Sequence, residues 1–267
     1  MNQNSGLPLV SIITVVYNDA VNLKKTIINI SKQTYPNLEF IIVDGKSDDG
    51  SVEVIKEHET FITKWISEKD NGIFDAMNKG VQLAKGKFIN FMNAGDWFLT
   101  DAIIFEVFSK KENLQADLIY GNHEVHYPDF IKKKKALNPE ELWKHMIFSH
   151  QSLFTKKQCL IERPFNLKYK YAADFHFIHN SYRLGYKFLN TNLNIAGYLS
   201  GGHTETGVIS AYKENRKIVL EHDKRFKVKI FHFKIITKQI VLEVFRKLIP
   251  QKMYLSLMQW KNQFKSF

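Results

Sequence analysis

The sequence is poor in cysteine, in long apolar runs and in repetition, and each scarcity removes a class of protein. With one cysteine, Cys159, in 267 residues, the chain has no intrachain disulfide and no cysteine-rich metal site. It holds no stretch of about 20 uncharged apolar residues, so its pattern excludes a membrane-spanning helix. The opening MNQNSGLP lacks the apolar centre of a secretory leader, and the expected compartment is therefore the reducing cytoplasm. There is no internal repeat and no low-complexity linker. What is present is 44% hydrophobic and 24% charged, enough to bury a sizeable core and unlike a disordered chain.

The charge is unevenly placed. Lys and Arg number 38 against 27 Asp and Glu, a net +11, and residues 213–267 hold 14 basic and 4 acidic residues. Ten of the eleven net charges thus fall in the last fifth of the chain. The expected organisation is a nearly neutral domain, residues 1–212, and a basic amphipathic helical extension, residues 213–267. From residue 227 onward Ile, Phe, Val and Leu are interrupted every few residues by lysine or arginine, with Trp260 near the end. That texture suits an interfacial helix on an anionic membrane surface. Packing on the domain or on another subunit is the alternative. No nucleic-acid-binding motif accompanies the charge.

The first third alternates β-rich and helical runs. VSIITVV at 10–16, FIIV at 40–43, WIS at 65–67 and FINFM at 88–92 read as strands. Residues 21–33, 51–58 and 75–85 read as helices. Continuous apolar strands alternating with helices predict a mostly parallel sheet covered on both faces. Ligands of such sheets sit beyond the carboxyl ends of the strands, where Asp44 and the run Asn93-Ala94-Gly95-Asp96 are expected. Later, residues 101–111 and 173–184 read as helices, 117–120 and 188–196 as strands, 132–135 as a basic loop, and 210 onward as basic helix.

Acids at strand ends suit three tasks. A nucleoside diphosphate needs a divalent cation held by one or two carboxylates. A base or ribose needs an acceptor, and a hydroxyl nucleophile needs a general base. Most loop aspartates, however, form turns or cap helices, which is the expected role of Asp48 and Asp49. His123 and His126 lie three apart on a strand-like segment, so a zinc site there is not expected. His203, in a Gly-rich turn, is either a loop histidine or a group that closes over a diphosphate.

The order and wording of four segments, SIITVVYN, IIVDGKSDDGS, SEKDNGIFDAMNKG and GKFINFMNAGDWF, resemble the family 2 glycosyltransferases. The likeness runs from about residue 8 to residue 202. It implies the GT-A fold, a Rossmann-like α/β domain, and an inverting transfer from a nucleotide-diphosphate sugar to a hydroxyl of a glycan or lipid-linked glycan. The most similar subgroup assembles bacterial lipopolysaccharide, capsule and exopolysaccharide, and UDP is the commonest donor nucleotide. Carried over by position, Asp44 contacts the nucleobase, with Thr14, Val16 and Tyr17 at the same end of the sheet. Asp70 faces the donor, Asn78 follows on the next helix, and Asp75 and Lys79 are either site or surface residues. Many relatives carry Asp-x-Asp where this chain has Asn93-Ala94-Gly95-Asp96. That leaves Asp96 as the carboxylate ligand of a divalent metal, Mg²⁺ or Mn²⁺, assisted by the Asn93 amide oxygen. Asp174 matches the catalytic base, and His150 and Gln151 border the acceptor. The implied location is peripheral, on the cytoplasmic face of the inner membrane, with a homo-oligomer as a further possibility. Competing readings are a protein that binds a nucleotide sugar without turning it over, a membrane or partner-assembly protein, and a nucleotidyltransferase.

Overall fold

The computed structural model describes residues 6–201, 207–248 and Met253. Strand β1, Val10–Val16, is buried along its whole length. Ile13 and Val15 enter one apolar layer, while Val10, Ile12 and Val16 enter the other. This period of two, with both faces covered, explains why the strand reads as an unbroken apolar run. β2 (Leu38–Asp44), β3 (Lys64–Ser67) and β4 (Phe88–Phe91) run parallel to it, in the order β3-β2-β1-β4.

The connections are helices. α1 (Ala20–Ser31) is capped by the Asp19 side chain and buries Leu23, Thr26, Ile27 and Ile30, a helical repeat of three and four. It shares one layer with Ile55 of α2 (Ser51–Glu57). α3 (Ile73–Leu83) places Phe74, Met77 and Val81 in the other layer. Gly80 lets α3 lie close on β1, since a Cβ there would stand 2.5 Å from Ile13 Cγ2.

Beyond β4 the sheet becomes mixed. β8 (Leu153–Lys156) pairs antiparallel with both β4 and β6 (Leu118–His126). β9 (Phe188–Leu199) lies parallel to β6, and β5 (Asp96–Phe98) antiparallel to β9. The expected parallel arrangement thus describes β1 to β4 and the β6–β9 pair. The basic run expected as a loop at 132–135 is instead strand β7 (Ile131–Lys134), paired with the far end of β6. Lysine-rich edge strands resist unwanted pairing, which accounts for a strand that looks like a loop.

The sheet curls so that β5 returns to α1. Asn29 accepts from Phe98 N at 2.8 Å and donates to Phe98 O at 3.0 Å, supplying the ladder that the edge strand lacks on that side. The remaining helices are α4 (Ile103–Phe108), α5 (Lys157–Glu162), α6 (Ala173–Arg183), α7 (Val208–His222) and α8 (Phe226–Leu248).

The boundary expected at 212 falls inside α7. Ile218 and Val219 of α7 and Val228 of α8 belong to the same apolar layer as β1. Buried His232 donates from Nε2 to Trp143 O at 2.9 Å, and Phe231 packs on the Trp143 ring. The extension therefore begins as part of the core. His203 and Trp260 lie outside the described residues. Among the described residues, no helix is long and apolar enough to cross a membrane.

Candidate active site

A cleft of about 1410 Å³ opens beyond the carboxyl ends of the parallel strands. Val16 and Tyr17 at the end of β1, Asp70 before α3, and Asn93, Ala94 and Asp96 after β4 line one wall. His123, His150, Gln151 and Asp174 line the other, and Tyr212, Asn215 and Gln239 contribute from α7 and α8. The location follows from the strand order, because loops diverge at the carboxyl ends of a parallel sheet.

Three residues expected at the donor end also hold the scaffold. Asp44 is fully buried, and its carboxylate already accepts from Lys46 N, Ser47 N, Ser47 Oγ and Ser67 Oγ. Three of those bonds fall on Oδ2 and one on Oδ1, so Oδ1 keeps acceptor capacity. Their effect is to fold the loop that sets Gly45 against Asp70 and Tyr17, where a Cβ would lie 2.6 Å from Asp70 Oδ2. Thr14 is buried and donates to Met92 O at 2.6 Å, tying β1 to the end of β4. Asn78 both donates to Phe165 O and accepts from Phe165 N, each at 2.9 Å, stapling α3 to a distant loop. Lys79 and Asp75 also hold local structure: Lys79 pairs with Glu68 at 2.8 Å, and Asp75 accepts from Asn71 N. Asp49 accepts from Ser51 N and Ala20 N, which holds the expected turn, while the N-cap of α2 is Gly50.

The run from Asn93 to Asp96 is a tight turn with Asp96 N bonded to Asn93 O at 3.0 Å and Gly95 at φ +90°, where glycine is unstrained. Thr26 Oγ1 in α1 donates to Asp96 O at 2.8 Å and accepts from Gly95 N at 3.0 Å. This fixes the turn from below. The Asp96 carboxyl is buried, and desolvation pushes its pKa up to about 6, against the opposing pulls of His150 and the Gln151 amide. Asn93 Oδ1 is buried without a hydrogen-bond partner. A desolvated carboxylate and an orphaned amide oxygen in one turn are hard oxygen donors suited to a divalent cation.

Two consecutive residues connect the walls. Gln151 Nε2 donates to Asp96 Oδ2 at 3.0 Å. His150 Nε2 lies 3.2 Å from Asn93 Nδ2, and Nδ1 is the other ring nitrogen. That atom stands 3.6 Å from Asp174 Oδ2, beyond hydrogen-bond length but within reach of its charge. Asp174 lies in the first turn of α6, where its Oδ1 accepts from Phe175 N at 2.7 Å.

The loop that delivers Asp174 is held from α7. Glu214 accepts from Lys170 N, Tyr171 N and Ala172 N at 3.1, 2.9 and 2.9 Å. Removing it with Glu214→Ala frees three amides and lets Asp174 shift. Because displacements on the order of 1 Å cost about 10²-fold, kcat is expected to fall tenfold to a hundredfold while donor affinity holds. Equal donor titrations and steady-state rates for the variant and the native chain would refute this.

Glu214 carried no motif, since its partners lie 42 to 44 residues away. His123 was likewise visible only as half of an unfavoured zinc pair. A register shift in β6 between Tyr120 and His123, opposite β9, turns it into the cleft, where it stacks on Tyr198 at 5.8 Å. Burial, with smaller contributions from Lys134 and His150, lowers its pKa to about 4, so the ring is neutral at neutral pH. Gly121 was the available signal: a Cβ there would meet Leu193 O at 2.5 Å, as at many bulges.

Comparison with known proteins supplies the family. A family model described as Glycosyl transferase family 2 matches residues 11–184. A PGL/p-HBAD biosynthesis glycosyltransferase of Mycobacterium bovis is 28% identical over 175 residues, covering 64% of this chain and 68% of the relative. An uncharacterized glycosyltransferase of Mycobacterium tuberculosis is 37% identical over 185 residues, covering 65% and 69%. Among solved structures, S. aureus TarS 1-349 in complex with UDP-GlcNAc superposes with a TM-score of 0.62 at 13% identity, over 80% of this chain and 67% of that one. Against a longer TarS structure the chain spans 40% of the length. The mannosyltransferase PcManGT from Pyrobaculum calidifontis, in complex with GDP-Man and Mn²⁺, gives 0.61 at 15% identity, over 99% and 82%. At these identities the structures share the fold, which is GT-A. The curled sheet, the cleft at its carboxyl ends and the match across residues 11–184 converge: the chain is a transferase that belongs to glycosyltransferase family 2.

Proposed function

We propose that this enzyme transfers a sugar, with inversion, from a UDP-linked donor to a hydroxyl of a glycan or lipid-linked glycan in the assembly of lipopolysaccharide, capsule or exopolysaccharide. The observation that carries the reading is the His150-Gln151 pair, which touches Asp174 and Asn93 through one residue and Asp96 through the next. A proton acceptor and a diphosphate-side carboxylate are thereby held across one cleft at fixed separation. The acceptor hydroxyl attacks the anomeric carbon as Asp174 takes its proton, and the bond from that carbon to the nucleotide diphosphate breaks in the same displacement. His150 stands beside that carboxylate, with Nδ1 3.6 Å from Asp174 Oδ2. Tyr17 and Asp70 face the nucleotide, and Asp44 folds the loop beside them.

Asp96 and Asn93 Oδ1 are the groups that would hold a divalent cation. Among the described residues no cluster of three or more His, Cys, Asp or Glu side chains could enclose one, so water and diphosphate oxygens would complete the shell. When bound, the cation neutralises charge on the departing diphosphate. TarS bound to UDP-GlcNAc and PcManGT bound to GDP-Man and Mn²⁺ support a nucleotide-sugar donor. A lipid-linked acceptor places the enzyme peripherally on the cytoplasmic face of the inner membrane.

The test is a panel of UDP-, GDP- and dTDP-sugars with Mn²⁺, scored by thermal shift and by nucleotide release. The expected outcome is stabilisation and slow hydrolysis with a UDP-sugar. A response to GDP-sugars alone would replace the donor assignment, and silence across the panel from folded protein would remove the nucleotide-sugar reading.

A further inference from the structure

Among the described residues, nothing covers the outer face of α8. At about 100° per residue, Phe226, Ile230, Phe233, Ile240, Val244 and Leu248 fall on one stripe, and all six are exposed, Phe226 by 76% and Phe233 by 64%. Beyond Gln239, Val241, Leu242 and Phe245 are exposed as well. Up to Gln239 the inward face is occupied: Val228 and His232 are buried, Phe231 lies on Trp143, and Gln239 lines the catalytic cleft. Rotation of the helix to hide its stripe would pull these groups from the core.

Exposed lysines border the stripe on both sides, Lys227, Lys234 and Lys238 along one flank and Lys229 along the other. The three- and four-residue spacing would also suit a two-helix seam with a second copy. In that arrangement the lysine flanks of the two copies would meet, and among the exposed flanking residues there is no acid to pair with them. An anionic lipid surface satisfies both features at once, taking the apolar stripe into the acyl boundary and the lysines at the headgroups. We infer that the Phe226–Leu248 helix is a membrane-docking surface, seated on an anionic bilayer by this stripe. The inference rests on the proposal of a lipid-linked acceptor and gives it a geometry. The side of α8 opposite the stripe forms part of the cleft wall, so a docked helix holds the cleft within about one helix diameter, 10–12 Å, of the headgroups.

The experiment is flotation of the full chain with vesicles of phosphatidylcholine and of an equimolar phosphatidylcholine–phosphatidylglycerol mixture, alongside donor hydrolysis in free solution. Binding is expected to the anionic vesicles only. It should weaken by about fivefold for each of Lys234→Ala and Lys238→Ala, and by more than about 100-fold for Phe226→Glu/Phe233→Glu. Donor hydrolysis by these variants is expected to match the native chain, which shows that they are folded and keeps the transferase reading separate. Three results would overturn the inference: no binding to anionic vesicles, binding indifferent to the two phenylalanine substitutions, or a dimer in analytical ultracentrifugation that Phe233→Glu dissociates.

Discussion

Asp174→Asn is expected to lower kcat by about 10²- to 10⁴-fold, the range of a positioned general base, with donor affinity unchanged. Asparagine keeps an oxygen for the bond from Phe175 N at 2.7 Å and so preserves the start of α6, but it cannot take a proton. Calorimetric titration with the donor nucleotide and Mn²⁺ reports binding, and single-turnover transfer reports chemistry. A rate within tenfold of native would move the base elsewhere, with His150 the next group in line. The split between binding and turnover is diagnostic, because a merely unfolded variant would lose both.

Asp96→Asn should abolish activity and stabilise the metal-free protein. Burial raises the Asp96 pKa from 3.8 to about 6, so above pH 6 the folded protein carries an ionised carboxylate in a poorly solvated place. The sign follows from linkage. A raised acid favours the fold only while protonated in both states, below 3.8, and that advantage is lost as pH rises through 6. At neutral pH the native residue therefore costs on the order of 1–3 kcal/mol, which asparagine removes while still accepting from Gln151. Thermal melts without metal should show the variant more stable at pH 7.5, the gap closing below pH 4. Mn²⁺ should stabilise the native chain and leave the variant unmoved. A pH-independent gap, or an unchanged Mn²⁺ response, would contradict both the electrostatics and the cation assignment.

The sequence shows the donor half of the fold well. VSIITVV and FIIV are buried on both faces, so composition alone identifies them, and the helices between them carry regular apolar spacing. It also names residues that the structure gathers in one cleft, Asp96, His150, Gln151 and Asp174 among them. Long-range partnerships are what it conceals. Asp44 holds Ser67, 23 residues later, through one carboxylate oxygen. Asn78 is spent on Phe165, 87 residues away. Whether an acid is free depends on what folds against it, and a motif holds no record of that. The lysines of β7 hide a strand for a related reason: an edge is defined by which neighbour is missing. His123 depends on a bulge whose cause, the approach of Leu193 O to Gly121, involves a strand 70 residues on.

The contribution of α7 and α8 to the cleft bears on how the enzyme comes into being during translation. The nucleotide-facing wall is built from Val16 through Asp96, sequence-local βαβ units that can fold as they leave the ribosome. The clamp on the base loop, Glu214, and the closing residue Gln239 arrive only near the end of synthesis. At about 5–20 residues per second, a nascent chain spends on the order of ten seconds with a donor wall and no fixed base. A chain that stops in that window lacks the clamp on the Asp174 loop, so the cleft is complete only once the two helices that close it have been made.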